Sequence, residues 1–197
     1  MTEFREFPKM ARLMRGMIVT EKIDGTNASI YIGDDGEFLV GSRTRWITPA
    51  DDNFGFAAWA HEHRDELIAG LGPGHHFGEW WGRGIQRGYG LSERRFSLFN
   101  ATRWADGEPL PIPSLDPRAE PKMQRVPPAC CHVVPVLLRG PFRTDAIDHC
   151  LDILRERGSY AAPGFANPEG VVVFHVAGNV GFKRTLERDD EPKSKRG

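Results

Sequence analysis

The stretch Thr20-Glu21-Lys22-Ile23-Asp24-Gly25-Thr26-Asn27 decides how this chain is read, because it sets a lysine between two strand-like runs. Met17, Ile18 and Val19 lead into Lys22, and a second run, Ala28 to Ile32, follows Gly25, Thr26 and Asn27. This order places the ammonium at the mouth of a sheet rather than on a solvated helix. A lysine desolvated beside other cations sheds its proton more readily and becomes a nucleophile. A Lys-x-Asp-Gly sequence by itself also describes a surface lysine opening a hairpin, so partners elsewhere in the chain must decide.

Outward from that stretch, alternation predicts one strand from Gly16 to about Lys22, a second from about Asn27 to Ile32 and a third from Glu37 to Val40. Gly33-Asp34-Asp35-Gly36 is the hairpin turn between the last two. Asp51 to Ala69 is predicted as one helix, capped by Asp52 or Asn53, with Phe56, Trp59, Ala60, His63 and Leu67 at helical spacing. His76 to Trp81 is a short strand, and Arg95 to Thr102 is another. Prolines crowd between Glu108 and Pro128, an extended loop within one domain rather than a linker. Val133 to Leu138 is expected as a strand, and Asp145 to Arg157 as a helix capped by Thr144. Gly170 to Val176 is a nearly continuous apolar strand, turned by Gly178-Asn179 into Val180 to Lys183. A charged tail occupies about 186–197. Hairpin-linked strands with two interspersed helices predict an α+β fold on antiparallel sheets, as one domain over 1–197.

Composition narrows the function classes. With 40% hydrophobic and 27% charged residues, the chain is globular rather than disordered. No apolar run approaches the roughly 20 residues that cross a bilayer, so no membrane partner is expected. Met1 to Arg15 has charges but no apolar core, unlike a signal peptide. Cys130, Cys131 and Cys150 are an odd set without a Cys-x-x-Cys pair, which points to free thiols in a reducing, cytoplasmic compartment. The net charge of −1 does not by itself advertise nucleic-acid binding. Any nucleic-acid footprint must be a local groove, drawing on Arg43 and Arg45, Arg83 and Arg87, Arg94 and Arg95, or the tail residues Lys193, Lys195 and Arg196. His61 with His63, His75-His76 and Cys130-Cys131-His132 lack a complete zinc spacing and are read as ordinary core or surface residues.

Two carboxylates and a second lysine bear on Lys22. Glu79 lies between Gly78 and the tryptophans Trp80 and Trp81, where an unpaired buried acid is costly, so it is a ligand or a paired group. Glu169 opens the most apolar strand, and Lys183 closes that strand's hairpin partner. All four residues are expected at or near strand ends of a single sheet system. Each alone has a structural explanation. Together they supply an amine nucleophile, acids for a divalent metal or ribose hydroxyls, and cations for a triphosphate, which is what nucleotidyl transfer requires.

On these residues the chain resembles the covalent nucleotidyltransferases, the superfamily of ATP-dependent DNA ligases, RNA ligases and mRNA capping enzymes. It is most similar to the phage-type RNA ligases that seal nicks in duplex RNA. Glu21-Lys22-Ile23-Asp24-Gly25-Thr26-Asn27 resembles their motif I. Phe77-Gly78-Glu79-Trp80-Trp81-Gly82 with Gly84-Ile85-Gln86 resembles motif III, and Phe96-Ser97-Leu98-Phe99-Asn100 motif IIIa. Glu169-Gly170-Val171-Val172 resembles motif IV and Phe182-Lys183 motif V, so five motifs keep their order from about Gly16 to Lys183. The resemblance implies an α+β nucleotidyltransferase (ATP-grasp-like) domain of antiparallel sheets with flanking helices.

It also implies roles. Lys22 attacks the α-phosphorus of ATP, expels pyrophosphate and holds AMP as a phosphoramidate, and Lys183 contacts the α-phosphate. Glu79 binds ribose hydroxyl, Phe99 stacks on adenine, and Glu21 helps define the adenine pocket, partly through its backbone. Asp24 and Gly25 complete the nucleotide-binding motif. Arg43 touches the nucleotide or a 5′-phosphate end, and Glu169 places Mg2+ or Mn2+. AMP then passes to an RNA 5′-phosphate, which a 3′-hydroxyl attacks. The implied partners are RNA ends, nicked or single-stranded, with an accessory protein as a further source of substrate contacts, in a cytoplasm of phage or bacterial type.

Two positions depart from the pattern. Motif V often carries a second basic residue where this chain has Thr185, with Arg184 or Lys193 as the candidate substitutes, and motif IIIa often continues with an acid where this chain has Asn100. A bare nucleotidyltransferase domain is expected, rather than one carrying the appended domains of DNA ligases, capping enzymes or larger RNA ligases. The alternatives are a DNA ligase, a capping-type guanylyltransferase, or a non-catalytic module that binds nucleotide or RNA ends.

Overall fold

A computed structural model describes residues 3–8, 10–112, 122–187 and 189 of the chain. In order, the elements are β1 (Gly16–Lys22), β2 (Thr26–Ile32), β3 (Phe38–Gly41), β4 (Trp46–Ile47), α1 (Phe56–Glu62), α2 (Arg64–Leu71), β5 (Gly74–Gly82) and β6 (Arg94–Leu98). They continue with β7 (Pro111–Ile112), β8 (Lys122–Met123), β9 (Cys131–Val133), β10 (Val136–Pro141), α3 (Thr144–Arg157), β11 (Gly170–His175) and β12 (Val180–Thr185). The result is a mixed α+β fold, mostly strands in antiparallel sheets with three helices among the described residues. The β6–β9 pair is parallel.

The strands form a four-stranded sheet in the order β10-β1-β11-β12 and a six-stranded sheet in the order β4-β3-β2-β5-β6-β9, with β7 and β8 as a small separate pair. The sequence reading expected a single sheet system, and this is corrected. β1 ends at Lys22 in the first sheet and β2 begins at Thr26 in the second, so the Lys22–Gly25 stretch carries the chain from one sheet to the other. The chain crosses back at Pro135. The predicted strand Val133 to Leu138 is therefore two strands, β9 in one sheet and β10 in the other. Proline has no N–H to give to a ladder, and here its carbonyl accepts from the Glu21 N–H at 2.9 Å.

Alternation along each strand sorts its side chains between two faces. In the four-stranded sheet, Met17, Val19, Val171 and Val173 pack on Ile147, Cys150, Leu151 and Leu154 of α3. Each such aliphatic group contributes about 1.5–3 kcal/mol on burial. The opposite face carries Thr20, Lys22, Val172 and Lys183, as the register Thr20↔Val172↔Lys183 and Lys22↔Gly170↔Thr185 requires. In the six-stranded sheet, Ala28, Ile30, Trp80, Phe96 and Leu98 meet Phe56, Ala60, Leu67 and Leu71 of the two short helices. Its other face presents Asn27, Ser29, Tyr31, Phe77 and Glu79.

The predicted helix over 51–69 is two helices that meet at His63, whose φ of −98° and ψ of 15° leave the helical path. Asp52 acts at the start, its carboxylate accepting from the Ala57 and Ala58 N–H groups at 2.8 and 3.0 Å. The strand expected to reach Thr102 stops at Leu98, because Asn100 accepts from the Arg103 N–H at 2.9 Å and turns the chain. Among the described residues no helix is long and apolar enough to cross a membrane. Most of the charged tail falls outside the described residues.

His76 is buried on the core side and bonded to the Gly72 carbonyl at 2.8 Å. Burial pushes its pKa down, with help from Arg103 and Arg125 and against that hydrogen bond. Below about pH 6.5 the unfolded chain binds the proton that the folded chain resists. This contribution to stability is thus present above that pH and is lost as pH falls. Denaturant unfolding from about pH 7.5 to 5.5 should show a falling midpoint, and His76→Gln should flatten the fall. His132, an exposed residue whose pKa is lowered by partial desolvation and by Arg95, should retain a smaller part of the slope.

Candidate active site

Lys22 ends β1 with its Nζ 2.5 Å from Oε2 of Glu169, the residue that immediately precedes β11. The glutamate is 2% exposed and the lysine side chain 17%, so the ion pair is largely shielded from water. Register explains the meeting: Lys22 pairs with Gly170, and Glu169 comes next. Lys183 lies on the same sheet face, on β12, and is exposed. No described carboxylate lies within ion-pair distance of it, which leaves its ammonium available to an anion.

From Lys22 the chain turns into contact with β5. The Gly25 N–H donates to Oε1 of Glu79 at 3.0 Å, and Nδ2 of Asn27 lies 3.5 Å from Oε2 of the same carboxylate. Phe99 lies opposite Phe77 across β5 and β6, its N–H donating to the Phe77 carbonyl at 2.9 Å. Register places Phe99 on the same face as Glu79. The candidate residues thus come from both sheets, Lys22, Glu169 and Lys183 from one and Glu79 and Phe99 from the other, with contacts joining Lys22 to Glu169 and the turn after Lys22 to Glu79. Arg43 stands exposed in the turn between β3 and β4. Its neighbour Arg45 is held by Asp51 at 2.5 Å.

Glu21 faces away. Adjacent residues on a strand point to opposite sides, and its carboxylate accepts from the Ser159 hydroxyl at 2.6 Å and the Tyr160 and Ala161 N–H groups at 2.8 and 2.9 Å. Burial pushes its pKa up, against the pull of these three bonds. The Glu21 side chain therefore clamps the loop that follows α3, and its backbone alone runs beside Lys22.

Two residues that hold the turn escaped the sequence reading. The Tyr89 hydroxyl accepts from the Asp24 N–H at 2.8 Å, and burial pushes the phenol's pKa well up, so it stays neutral. Arg87, read from sequence as a residue that could steer RNA strands, instead bonds the Asp24 carboxylate at 3.1 Å and the Asn167 carbonyl at 3.0 Å. Its guanidinium thereby ties the turn after Lys22 to the segment before Glu169. Arg87→Ala should lower stability by about 1–3 kcal/mol in denaturant unfolding, and Arg87→Lys should recover only part, because an ammonium lacks the fork that spans both acceptors.

The stretch 15–186 matches the family model described as RNA ligase. This chain belongs to the RNA ligase family. Solved structures share the fold of this RNA ligase family chain: an apo mutant of the Naegleria gruberi RNA ligase superposes with a TM-score of 0.52 at 19% identity, over 87% of this chain and 49% of that one. A mutant of the same protein with ATP and Mn gives 0.53 at 19% identity, over 87% and 50%. Another with AMP and Mn gives 0.51 at 18%, over 88% and 50%. The chain thus spans about half the length of the ligases it matches. No curated protein matches it.

Within this RNA ligase family chain, motif V is built differently from the pattern. Thr185 lies in line with Lys22 and Gly170, but its side chain is a neutral hydroxyl bonded to the Glu187 carbonyl at 2.8 Å. Arg184 does not substitute for a base there. It sits on the opposite face, paired with Asp148 at 3.1 Å and Asp189 at 2.9 Å. Lys193 lies outside the described residues.

The donor set also bears on metal. Among the described residues no three His, Cys, Asp or Glu converge. One carboxylate beside Lys22, Glu169, fits an ion that takes most of its ligands from phosphate oxygens and water, as Mg2+ does in nucleotide sites. It does not fit an ion caged by protein alone.

Proposed function

We propose that the chain is an ATP-dependent RNA ligase, adenylylated on Lys22. The observation that carries this reading is the Lys22–Glu169 pair at the sheet junction, set beside a turn that Glu79 holds by the Gly25 N–H. Nζ attacks the α-phosphorus, a P–N bond forms, and the bond to the pyrophosphate oxygen breaks. The ammonium must first lose its proton, and Glu169 Oε2 is the acceptor within reach. Lys183, exposed on the same face, meets the negative charge that builds on the α-phosphate. Glu79 and Asn27 offer partners for ribose hydroxyls, and Phe99 a face for adenine. Arg43 takes the 5′-phosphate of the RNA that next receives AMP, before a 3′-hydroxyl displaces AMP and closes the strand.

Mg2+ or Mn2+ held by Glu169 and the triphosphate would supply charge neutralisation at the phosphates. The stretch from Gly16 to Lys183 works as one adenylyltransferase unit, of the kind its motifs share with phage-type RNA ligases. Three free thiols suit a reducing cytoplasm.

Incubation with α-labelled ATP and magnesium should label the protein, through a bond stable to alkali and cleaved by acid. GTP should not compete. If no divalent metal and no pH gives a label, the covalent mechanism is wrong. A pre-adenylated RNA strand, supplied without ATP, should be joined to a 3′-hydroxyl. Failure of that step alone would leave an adenylylating module whose Thr185 marks the lost transfer.

A further inference from the structure

The open face of the six-stranded sheet carries aromatic rings that the chemistry at Lys22 does not use. Trp46 is 49% exposed and Phe77 57%, His75 is exposed and Tyr31 half-buried. Large rings of this kind belong in a core unless something covers them. These four come from three separate strands and form one surface. The rings of Tyr31 and His75 lie 4.6 Å apart, Trp46 and His75 6.2 Å, and His75 and Phe77 5.8 Å at an interplanar angle of 15°.

The sheet is shaped to present them. Gly41 lies between Trp46 and Ser29 in register, and a β-carbon there would come within 3.3 Å of the indole and 2.5 Å of the Ser29 hydroxyl. A bare backbone at Gly41 lets the indole lie over β3. The row Trp46–Gly41–Ser29–Phe77 then runs across four strands to Phe99. It lies directly beside the row Asn27–Glu79–Ser97, which carries the nucleoside groups. The ring-to-ring steps of 6.2 Å from Trp46 to His75 and 5.8 Å from His75 to Phe77 give the face the length of a few stacked bases. Arg43 borders this face with an exposed guanidinium.

We propose that this face binds an unpaired RNA segment adjoining the end to be joined, its bases stacked on Trp46, Tyr31, His75 and Phe77. The proposal rests on reading the Lys22 site as the place where the RNA end is activated, since it is continuity with that site that selects RNA as the occupant. Aromatic groups on an open sheet are a stacking surface for bases whose faces are free, and every base has such a face. In a duplex the faces are already covered by neighbours. The platform therefore makes the enzyme favour ends with unpaired nucleotides over flush nicks.

Fluorescence anisotropy with a short 5′-phosphorylated single-stranded oligoribonucleotide, and with a blunt RNA duplex of the same length, tests this. Trp46→Ala combined with His75→Ala should weaken single-strand binding by about tenfold or more. Duplex binding and the ATP label on Lys22 should be unchanged, and the label shows that the variant is folded. Trp46→Phe should bind nearly as wild type but lose most of the tryptophan quenching by RNA, because Trp80, Trp81 and Trp104 are buried and the half-buried Trp59 packs with the core on the helix side of the sheet. Unchanged single-strand affinity in the double variant, or an equal loss for duplex, overturns the proposal. So does a wild-type dimer that the double variant dissolves, since a second copy would then be what covers the face. If wild type takes no ATP label yet the single-strand affinity still falls as expected, the platform stands and the adenylylation reading is what fails.

Discussion

Lys22→Ala should give a folded protein that takes no label from α-labelled ATP and unfolds at a lower denaturant concentration than wild type. The two losses have separate causes. The label goes because the group proposed to form the P–N bond is removed. Stability falls because Glu169, 2% exposed, loses the ammonium 2.5 Å away, and breaking a shielded pair on one side costs roughly 3 kcal/mol. Two further variants separate chemistry from folding. Lys22→Arg keeps a cation for Glu169 but carries a guanidinium that stays protonated, so stability should be largely kept and the label still absent. Adding Glu169→Gln to Lys22→Ala removes the buried carboxylate's charge as well, so part of the stability should return and none of the label. Labelling of Lys22→Arg would sink the assignment of Lys22 as nucleophile.

Why so much of this site was legible in the sequence follows from period two. A strand into Lys22, the Gly33–Gly36 hairpin and the apolar strand after Glu169 are local patterns, and each appears within a residue or two of its expected bounds. The same rule could have placed Glu21, since a residue next to Lys22 on a strand must face the other way. What was not legible is long-range. The run Val133 to Leu138 looks continuous, and only the tertiary arrangement shows Pro135 handing the chain from one sheet to the other. Arg87 lies 63 residues from Asp24, and nothing local marks the pair. The aromatic face is of the same kind. Tyr31, Trp46, His75 and Phe77 become neighbours through the register of four strands, a relation no single stretch contains.

The turn between the two sheets approaches β5 closely at Gly25, and Gly25→Ala should fail on both stability and labelling. A β-carbon there would lie 2.5 Å from the Trp80 carbonyl oxygen, 2.7 Å from Cβ of Trp81 and 3.0 Å from Cγ of Glu79. The first two belong to backbone or to its first side-chain carbon, so no rotamer change clears them. The turn must back away from β5, at a cost of about 1–3 kcal/mol for an overpacked contact. In doing so it gives up the 3.0 Å bond from the Gly25 N–H to Glu79, the carboxylate proposed to meet the nucleoside. Lys22 sits three residues earlier on the same short stretch, so its amine shifts with the turn, and an ångström of misplacement at a reacting atom costs about a hundredfold in rate. Gly140→Ala is the matched control. Its added carbon would meet only a leucine methyl at 3.8 Å, and both unfolding midpoint and labelling should stay at wild-type values. Should Gly25→Ala unfold and label like the control, the close approach of the turn to β5 is not what positions Lys22, and the ties from Asp24 to Tyr89 and Arg87 become the contacts to test next.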